Sequence, residues 1–437
     1  MTGLEIGLIA IALMIAGIFF GVQVGIALMA VSFVSIWMLK SPEIAARMVG
    51  AAANDALRDY LFGVVPLFVL MGMLVSVSGI GRDTFDVFGW LLRKLVGGLG
   101  VATVIANAVF AAVTGVSIAS ASVFTKVAVP EMVRHGYSAR FACGIVAGSS
   151  ILGMLIPPSL LMIVYSILAE ESVGRMFIAG IIPGLLMTFV FSALILVMFR
   201  WAPAMVGNVR SAATELAVES AGSALRKLVP ITVLILLVIG GIYGGLFTPT
   251  EAGAVGALGA LVIALLRHSL TWRGFWEVLL ETGQVSVAVL FLVLAASLYS
   301  RMLALSGLPA ALTEFLGQMG LGAYGFLAVY IVLVVLLGCI IDSISIMLIV
   351  LPIVLPVAHA FSMDIIWFGV VTVVAVEIGL ITPPFGLGVF TVKSALNNPS
   401  ITVKDIFIGA SPFVIAMVLV LILLVMFPAL STYLARL

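Results

Sequence analysis

The chain has 437 residues, of which 64% are hydrophobic and only 9% are charged, and its formal net charge is +1. A soluble domain carries about 25% charged residues, so this composition excludes a soluble fold of this length. The near-neutral charge provides no basic field that would attract nucleic acid. Since one membrane span needs about 20 apolar residues, we predict a polytopic all-α bundle with roughly ten to twelve membrane segments.

The chain begins with an apolar run, Met1 to Phe20, that has no basic region in front of it and contains Glu5. We interpret it as a first span and not as a cleaved signal. The stretch Ser41 to Tyr60 mixes charged and apolar residues, which predicts a helix along the membrane interface, with a counterpart beginning near His268. A long polar stretch follows residue 200, and its excess of basic residues favours the cytoplasm. We therefore divide the chain into a first repeat (1–200), a linker (201–227) and a second repeat (228–437).

The division rests on an internal repeat. Aligning Pro157 with Pro383 fixes the offset between the two halves at 226. The same offset pairs Pro158 with Pro384, Gly153 with Gly379, Pro130 with Pro356 and Ser117 with Ser343, and an offset of 228 pairs Gly17 with Gly245, Phe19 with Phe247 and Gly79 with Gly307. Duplicated halves with broken segments at corresponding positions are typical of secondary transporters, whose halves are often inverted across the membrane.

In the first half, the stretch Val113 to Ser122 (VTGVSIASAS) is rich in Gly, Ser and Thr and is too short for a span. It predicts the tip of a helical hairpin near 113–134 that enters the membrane and returns. Backbone at such a tip must face protein or a polar cavity, where free N–H groups hold anions and free C=O groups hold Na⁺. The alternative is that the small residues only permit close helix packing.

The corresponding hairpin of the second half is predicted near 339–361. Its sequence, GCIIDSISIM from Gly338, places Asp342 in an apolar run. An acidic residue at membrane depth is costly and points to function. A structural cap for the hairpin's second helix explains Asp342 equally well.

Two aligned motifs, LIPPS from Leu155 and ITPPFG from Ile381, each place two prolines in an apolar stretch. Proline removes a backbone donor and clashes with the preceding turn, so we predict broken segments near 157 and 383. Glu377 lies six residues before Pro383. It could serve as a cation ligand or as the partner of a nearby Arg or Lys.

The remaining polar features predict structure more than chemistry. In GGLFTPTEAG, from Gly244, we interpret Glu251 as part of a helix start capped by Thr248 or Thr250. Lys126 and Lys393 could face an anionic substrate, but snorkelling to the membrane interface is the favoured interpretation. The two cysteines (Cys143, Cys339) and the three histidines (His135, His268, His359) form no disulfide framework, metal set or catalytic spacing.

Five motifs together carry a family resemblance: PEMVRHGY, LIPPS, GGLFTPTEAG, GCIIDSISIMLIVLPIVLP and IGLITPPFG. In their order and spacing the chain resembles the large membrane subunit, the DctM type or M subunit, of tripartite ATP-independent periplasmic (TRAP) transporters. The resemblance implies two inverted structural repeats, an elevator-type fold with scaffold and transport domains, and two re-entrant helical hairpins. It also implies Na⁺-driven uptake of an organic acid across the bacterial inner membrane.

The resemblance further implies partners and ligands. The partners are a small four-helix membrane subunit (Q type) and a periplasmic substrate-binding protein (P type), in addition to membrane lipid. The coupling ion is Na⁺, with no organic cofactor. The implied Na⁺ ligands are Thr114, Gly115, Ser117, Gly153, Pro157, Asp342, Ser343, Gly379, Thr382 and Pro383, and the implied substrate contacts are Ser117, Ser159, Ser343 and Thr382.

Two other classes of function stay open at this point. A membrane-embedded enzyme would need a paired catalytic set, for which only Asp342 and Glu377 are available on separately broken segments. A channel would ordinarily need several copies or repeats around a pore, whereas two inverted halves fit a carrier better. The substrate stays undetermined among C4-dicarboxylates, sialic acid, keto acids and sugar acids.

Overall fold

The computed structural model describes residues 1–58, 60–209, 221–396 and 398–436. Within these ranges the chain is helical and contains no β-strand. The predicted linker, 201–227, falls partly on residues 210–220, which lie outside the described residues. The prediction of an all-α membrane protein is therefore confirmed for the described part of the chain.

Among the described residues, twelve α-helices precede residue 210 and eleven follow residue 220. The first group is α1 (Gly3–Phe19), α2 (Val24–Leu39), α3 (Pro42–Arg58), α4 (Val64–Val77), α5 (Ile80–Leu91), α6 (Gly98–Thr114), α7 (Ser117–Arg134), α8 (Ala139–Ser150), α9 (Leu152–Leu155), α10 (Leu160–Ala169), α11 (Val173–Trp201) and α12 (Pro203–Val206). The second group is α13 (Ala221–Ile235), α14 (Gly241–Tyr243), α15 (Pro249–Leu266), α16 (Trp272–Ser306), α17 (Leu308–Gln318), α18 (Ala323–Gly338), α19 (Ser343–Ala360), α20 (Ile365–Leu380), α21 (Leu387–Leu396), α22 (Val403–Met426) and α23 (Ala429–Thr432).

Six helical segments among the described residues are long and apolar enough to cross a membrane, or nine if each bent helix pair counts as one span. This is fewer than the ten to twelve spans expected from hydropathy. The difference lies in apolar helices such as α1, α2, α6 and α20, which have only 16 or 17 residues each. Helices this short cross a bilayer where the membrane is thinned or where flanking side chains reach its interface.

The helix boundaries follow the two sequence offsets. The offset that aligns Pro157 with Pro383 also carries both ends of α7 onto the ends of α19, and the start of α8 onto the start of α20. The offset that aligns Gly79 with Gly307 carries the start of α5 onto the start of α17. The counterpart of the interface helix α3, expected to begin near His268, begins at Trp272 and continues without a break as the 35-residue helix α16.

A capping box explains why α15 begins at Pro249. The Thr248 side chain accepts a hydrogen bond from Glu251 N–H at 3.3 Å, and the Glu251 carboxylate accepts one from Thr248 N–H at 2.8 Å. These reciprocal bonds satisfy two of the free donors at the helix start. The interpretation of GGLFTPTEAG as a helix start is therefore confirmed, with Thr248 as the cap.

Helices α8 and α20 are among the most deeply buried. Every residue of α20 from Ile365 to Leu380 is buried, and α8 is buried from Phe141 to Ser150. Helix α8 crosses α22 at two glycines, Gly144 and Gly409, where a Cβ atom on Gly409 would overlap the Arg140 carbonyl oxygen. Only glycine permits so close an approach of two helix backbones. The core around α8 and α20 is thus tightly packed, and it supports the segments described next.

Candidate ion and solute site

Residues 113–134, predicted to form a complete hairpin, contain a turn followed by the single helix α7, so the bounds of that prediction were wrong. The turn joins α6 to α7, and we call this helix pair the first hairpin and the turn its tip. Helix α6 ends at Thr114, its C-cap Gly115 has a left-handed φ of +65°, and α7 begins at Ser117 after the extended residue Val116. The Gly115 carbonyl accepts a hydrogen bond from Leu160 N–H at 3.1 Å. A Cβ atom on Gly115 would lie 2.5 Å from the Pro158 carbonyl oxygen. The tip therefore rests directly on the first proline break, and only glycine fits at the contact.

The predicted range of the second hairpin, 339–361, likewise contains a turn and the single helix α19. We call the pair α18 and α19 the second hairpin and the turn between them its tip. Asp342 is the N-cap of α19, and its carboxylate accepts a hydrogen bond from Ser345 N–H at 3.0 Å. The Cys339 carbonyl accepts hydrogen bonds from Phe385 N–H and Gly386 N–H, each at 3.2 Å. The second tip thus contacts the second proline break, as the first tip contacts the first. The capping role of Asp342 is observed, and its side chain is exposed.

The two proline breaks follow helices that end beside the hairpins. Helix α9 ends at Leu155 and α20 ends at Leu380, and the peptide bonds Pro157–Pro158 and Pro383–Pro384 are both cis. Close to each break a glycine contacts hairpin backbone. A Cβ atom on Gly153 would lie 2.9 Å from Val116 C, and one on Gly379 would lie 2.5 Å from Gly338 Cα.

One carboxylate connects the two hairpin tips. Glu377 on α20 is 1% exposed. Its Oε2 atom accepts a hydrogen bond from Ser117 Oγ at 3.0 Å, and its Oε1 atom accepts one from Ser343 Oγ at 3.2 Å. No Lys or Arg among the described residues pairs with it. Of the two roles left open for Glu377, partnership with a basic side chain does not occur in the described part of the chain.

A cavity of about 80 Å³ opens beside this carboxylate, and we call it the central cavity. It is lined by Ser117, Ile118, Ala121, Ser150, Ile151, Met154, Asp342, Ser343, Ile344, Glu377, Leu380, Ile381, Leu387 and Gly388. Its walls are apolar apart from two carboxylates and three serine hydroxyls. A buried carboxylate with only neutral partners is unfavourable without a counter-charge, so the arrangement favours a bound cation or a proton.

The ends of two helices add to the preference of the central cavity for a cation. The C-terminal ends of α9 and α20 lie at the cavity, through Met154 and Leu380. The C-terminal end of a helix carries partial negative charge, which stabilises cations. In the described residues no group of three or more His, Cys, Asp or Glu side chains could hold a metal ion. A cation here would therefore take hydroxyl and carbonyl oxygens in addition to carboxylate oxygens.

The residues implied by the family resemblance divide into two sets. Ser117, Asp342 and Ser343 line the central cavity. The other implied residues do not line it and instead shape the surrounding backbone, as the contacts of Gly115, Gly153 and Gly379 illustrate; they are Thr114, Gly115, Gly153, Pro157, Ser159, Gly379, Thr382 and Pro383.

Two hydroxyls among the implied substrate contacts form local hydrogen bonds. The Ser159 hydroxyl donates to Met154 O at 2.5 Å and accepts from Met162 N–H at 3.2 Å, which caps α10. The Thr382 hydroxyl donates to Ile378 O at 2.6 Å. Both side chains thus stabilise the breaks, whereas Ser117 and Ser343 point their hydroxyls at Glu377.

The set of implied ligands did not include Glu377 or Ser150, both of which line the cavity. The signal for Glu377 was present, since an acidic residue in an apolar run is rare without a function. Two further buried oxygens of this region, Asn107 Oδ1 and Ser120 Oγ, have no hydrogen-bond partner among the described residues. They lie on the two helices of the first hairpin, α6 and α7.

The two lysines near the breaks behave differently. Lys393 Nζ donates to the carbonyl oxygens of Asn398 at 2.7 Å and Ile401 at 2.6 Å. It therefore ties the end of α21 to the following loop. Lys126 is exposed on α7 and forms no ion pair or hydrogen bond in the described part of the chain.

Comparisons with known proteins show which protein family this chain is similar to. The family model "Tripartite ATP-independent periplasmic transporter, DctM component" matches residues 11–430. The C4-dicarboxylate TRAP transporter large permease protein DctM of Pseudomonas aeruginosa is 32% identical over 398 residues, which cover 90% of each chain. The sialic acid TRAP transporter large permease protein SiaM of Vibrio cholerae is 30% identical and covers 96% of each chain. The ectoine TRAP transporter large permease protein TeaC of Halomonas elongata is 31% identical over 85% of each.

Two solved membrane transporters share the fold at lower sequence identity. The MtrF transporter of Neisseria gonorrhoeae superposes with a TM-score of 0.61 at 12% identity, covering 88% of this chain and 85% of that one. The YdaH transporter of Alcanivorax borkumensis gives a TM-score of 0.56 at 14% identity, covering 84% and 86%. At these identities the likeness concerns the fold alone.

Proposed function

The chain belongs to the family of DctM components of tripartite ATP-independent periplasmic transporters, and on this basis we propose that it couples the uptake of an organic acid to Na⁺. It is a large permease subunit of the inner membrane, and it is not an enzyme, since its relatives are transporter permease subunits.

The observation that carries the proposal is the bridge between Glu377, Ser117 and Ser343. One buried carboxylate contacts the tips of both hairpins, so a cation bound at it would interact with both tips at once. Hydroxyl, carboxylate and carbonyl oxygens suit a hard cation such as Na⁺ better than a soft one. Release of the cation would leave a buried charge without compensation, which favours movement of the tips.

The substrate is proposed to be a C4-dicarboxylate, a sialic acid or a related carboxylate. A periplasmic binding protein (P type) would deliver it, and a small four-helix membrane subunit (Q type) would complete the membrane complex. Because delivery by the binding protein sets much of the selectivity, the large subunit needs to recognise only the features that the acids share. The bilayer lipid is its remaining partner.

An elevator-type movement is proposed for the transport step. Helices α6–α11 and α18–α22 carry the hairpins, the breaks and the central cavity, and would form the moving unit, while α1–α5 and α13–α17 would form the scaffold. The matched boundaries of α7 with α19 and of α8 with α20 support two repeats, which we propose to be inverted. The central cavity of about 80 Å³ is small, which favours a carrier over an open channel.

The direct test is uptake into proteoliposomes that contain the large subunit, the small subunit and the cognate binding protein. We expect accumulation of the acid with an inward Na⁺ gradient and little accumulation when K⁺ replaces Na⁺. Omission of the binding protein should also abolish uptake. Accumulation that is equally fast without Na⁺ or without the binding protein would contradict the proposed coupling.

A substitution at Asp342 separates its capping role from its charge. Asparagine is as good an N-cap as aspartate, so Asp342→Asn keeps the hydrogen bond from Ser345 N–H and the start of α19. We expect a normal thermal midpoint but a Na⁺ concentration for half-maximal uptake that is about 5–10-fold higher, because about 1 kcal/mol of attraction is lost. An unchanged Na⁺ dependence would limit Asp342 to helix capping.

A further inference from the structure

A groove with one unpaired positive charge lies between α7 and α21. Its volume is about 630 Å³, and its lining residues are Ile118, Ser122, Lys126, Leu387, Phe390, Thr391, Ser394 and Ala395. We call it the Lys126 groove. Sites for small organic ligands measure about 300–1,000 Å³, so the groove is large enough for an organic acid.

The spacing of the lining residues shows why the two helices form one surface. Ile118, Ser122 and Lys126 are four residues apart along α7 and therefore lie on one helix face. Leu387, Thr391 and Ser394 lie on one face of α21 by the same rule. The groove is thus a strip of hydroxyl groups between apolar side chains, with the ammonium group of Lys126 at one end.

The charge of Lys126 is not compensated by a neighbouring acid. Some basic side chains elsewhere in the described chain are paired with acids, as Arg140 is with Asp405 at 2.6 Å and Arg301 with Asp55 at 2.6 Å. Lys126 has no such partner among the described residues, and it is the single charged side chain that lines its groove there. The hydroxyls of Ser122 and Ser394 also form no hydrogen bond within the described residues. These groups are free to donate to an anion.

The Lys126 groove adjoins the central cavity, because Ile118 and Leu387 line both. Lys126 lies nine residues beyond Ser117 on α7, a rise of roughly 13 Å, and a lysine side chain spans about half of that distance. A small acid in the groove would therefore contact the Lys126 ammonium group while lying next to the cation at Glu377. Opposite charges at this separation attract, which couples their binding.

We propose that the Lys126 groove binds the carboxylate group of the transported acid, with Lys126 as its counter-charge and the hydroxyls of Ser122 and Ser394 as further donors. The inference rests on the proposed function, since it supplies the substrate contact for the same carrier. It replaces the interpretation of Lys126 as a residue that only snorkels to the lipid headgroups. Arginine at this position would keep the charge, whereas glutamine would keep only a hydrogen-bond donor.

Uptake kinetics with the complete complex test the groove. For whichever of succinate, N-acetylneuraminate or ectoine the wild type accumulates, Lys126→Gln should raise the KM for the acid-loaded binding protein about tenfold. Lys126→Arg should change it less than about threefold. The matched control is Lys40→Gln, which removes one lysine at the end of α2, far along the chain from the groove, and should leave KM unchanged. Equal KM values for Lys126→Gln and Lys40→Gln would overturn the proposal.

The Na⁺ response separates this inference from the coupling mechanism. The Na⁺ concentration for half-maximal uptake should stay within about twofold of wild type in Lys126→Gln when the acid is saturating. If wild-type uptake does not respond to Na⁺, the coupling proposal fails. The KM comparison at Lys126 still tests whether the groove binds the acid.

A labelling experiment tests the groove without transport. Ser122→Cys in the complex should react with a charged methanethiosulfonate reagent, while the buried Cys143 and Cys339 of the wild type should react slowly. Succinate, N-acetylneuraminate or ectoine should slow the labelling at least threefold. Failure of all three solutes to protect the introduced cysteine would overturn the proposal.

Discussion

Replacement of Glu377 by glutamine is expected to abolish Na⁺-dependent uptake while the protein stays folded. The amide has nearly the same shape as the carboxylate, and its oxygen and nitrogen can still form hydrogen bonds with the hydroxyls of Ser117 and Ser343. The negative charge is lost, however. Removing one member of a buried charge pair costs about 3 kcal/mol, which corresponds to roughly a hundredfold weaker Na⁺ affinity.

The measurement is the initial rate of acid uptake against Na⁺ concentration, at equal amounts of protein in the membrane. Glu281→Gln is a suitable control, because Glu281 is an exposed acid on α16 that lines neither the central cavity nor the Lys126 groove. It should transport like the wild type. Wild-type Na⁺ dependence in Glu377→Gln would remove the carboxylate from the ion site.

Substitution of alanine for Gly115 is expected to reduce uptake more than tenfold and to lower thermal stability. Two costs add at this position. A side chain in the left-handed conformation costs about 1 kcal/mol, and the added Cβ atom would lie 2.5 Å from the Pro158 carbonyl oxygen, so backbone must shift. Displacement of the tip would move Ser117, two residues from the change, away from Glu377.

Gly320→Ala separates the two costs, since Gly320 has a similar φ of +68° but nothing within 4 Å of its added Cβ atom. This control should lose only about 1 kcal/mol of stability and transport normally. The difference between the two variants in thermal midpoint and uptake rate reports the contact with Pro158. Equal effects in both variants would show that the first tip does not depend on its close fit to the break.

Some local features of the backbone at the candidate site are visible in the sequence. Gly, Ser and Pro act on the backbone within a few residues, so the tip at Gly115 and the break at Pro157 could be placed from their motifs. The constant offset between the two halves of the chain paired Ser117 with Ser343. These features depend on neighbouring residues or on a regular repeat, and both are visible in a sequence.

The assembly of the site could not be predicted in the same way. Glu377 bonds to Ser117 across 260 positions of the chain, and only the packing of α20 against both hairpins brings them together. The same limit applied to Lys126, since its position opposite the hydroxyls of α21 is set by helix packing and not by any motif. Asp342 could serve as cap or ligand from its sequence, and the structure shows the cap.

The central claim is that the carboxylate of Glu377 holds the coupling Na⁺ ion between the two hairpin tips. It is tested most directly by the thermal midpoint of the purified chain during a Na⁺ titration at constant ionic strength, with K⁺ as the replacement ion. Ligand binding stabilises the folded state by about 2.7 kcal/mol at a hundredfold excess over Kd, so the wild-type midpoint should rise by a few degrees. Glu377→Gln should show no such rise. A Na⁺-specific rise of equal size in wild type and Glu377→Gln would contradict it.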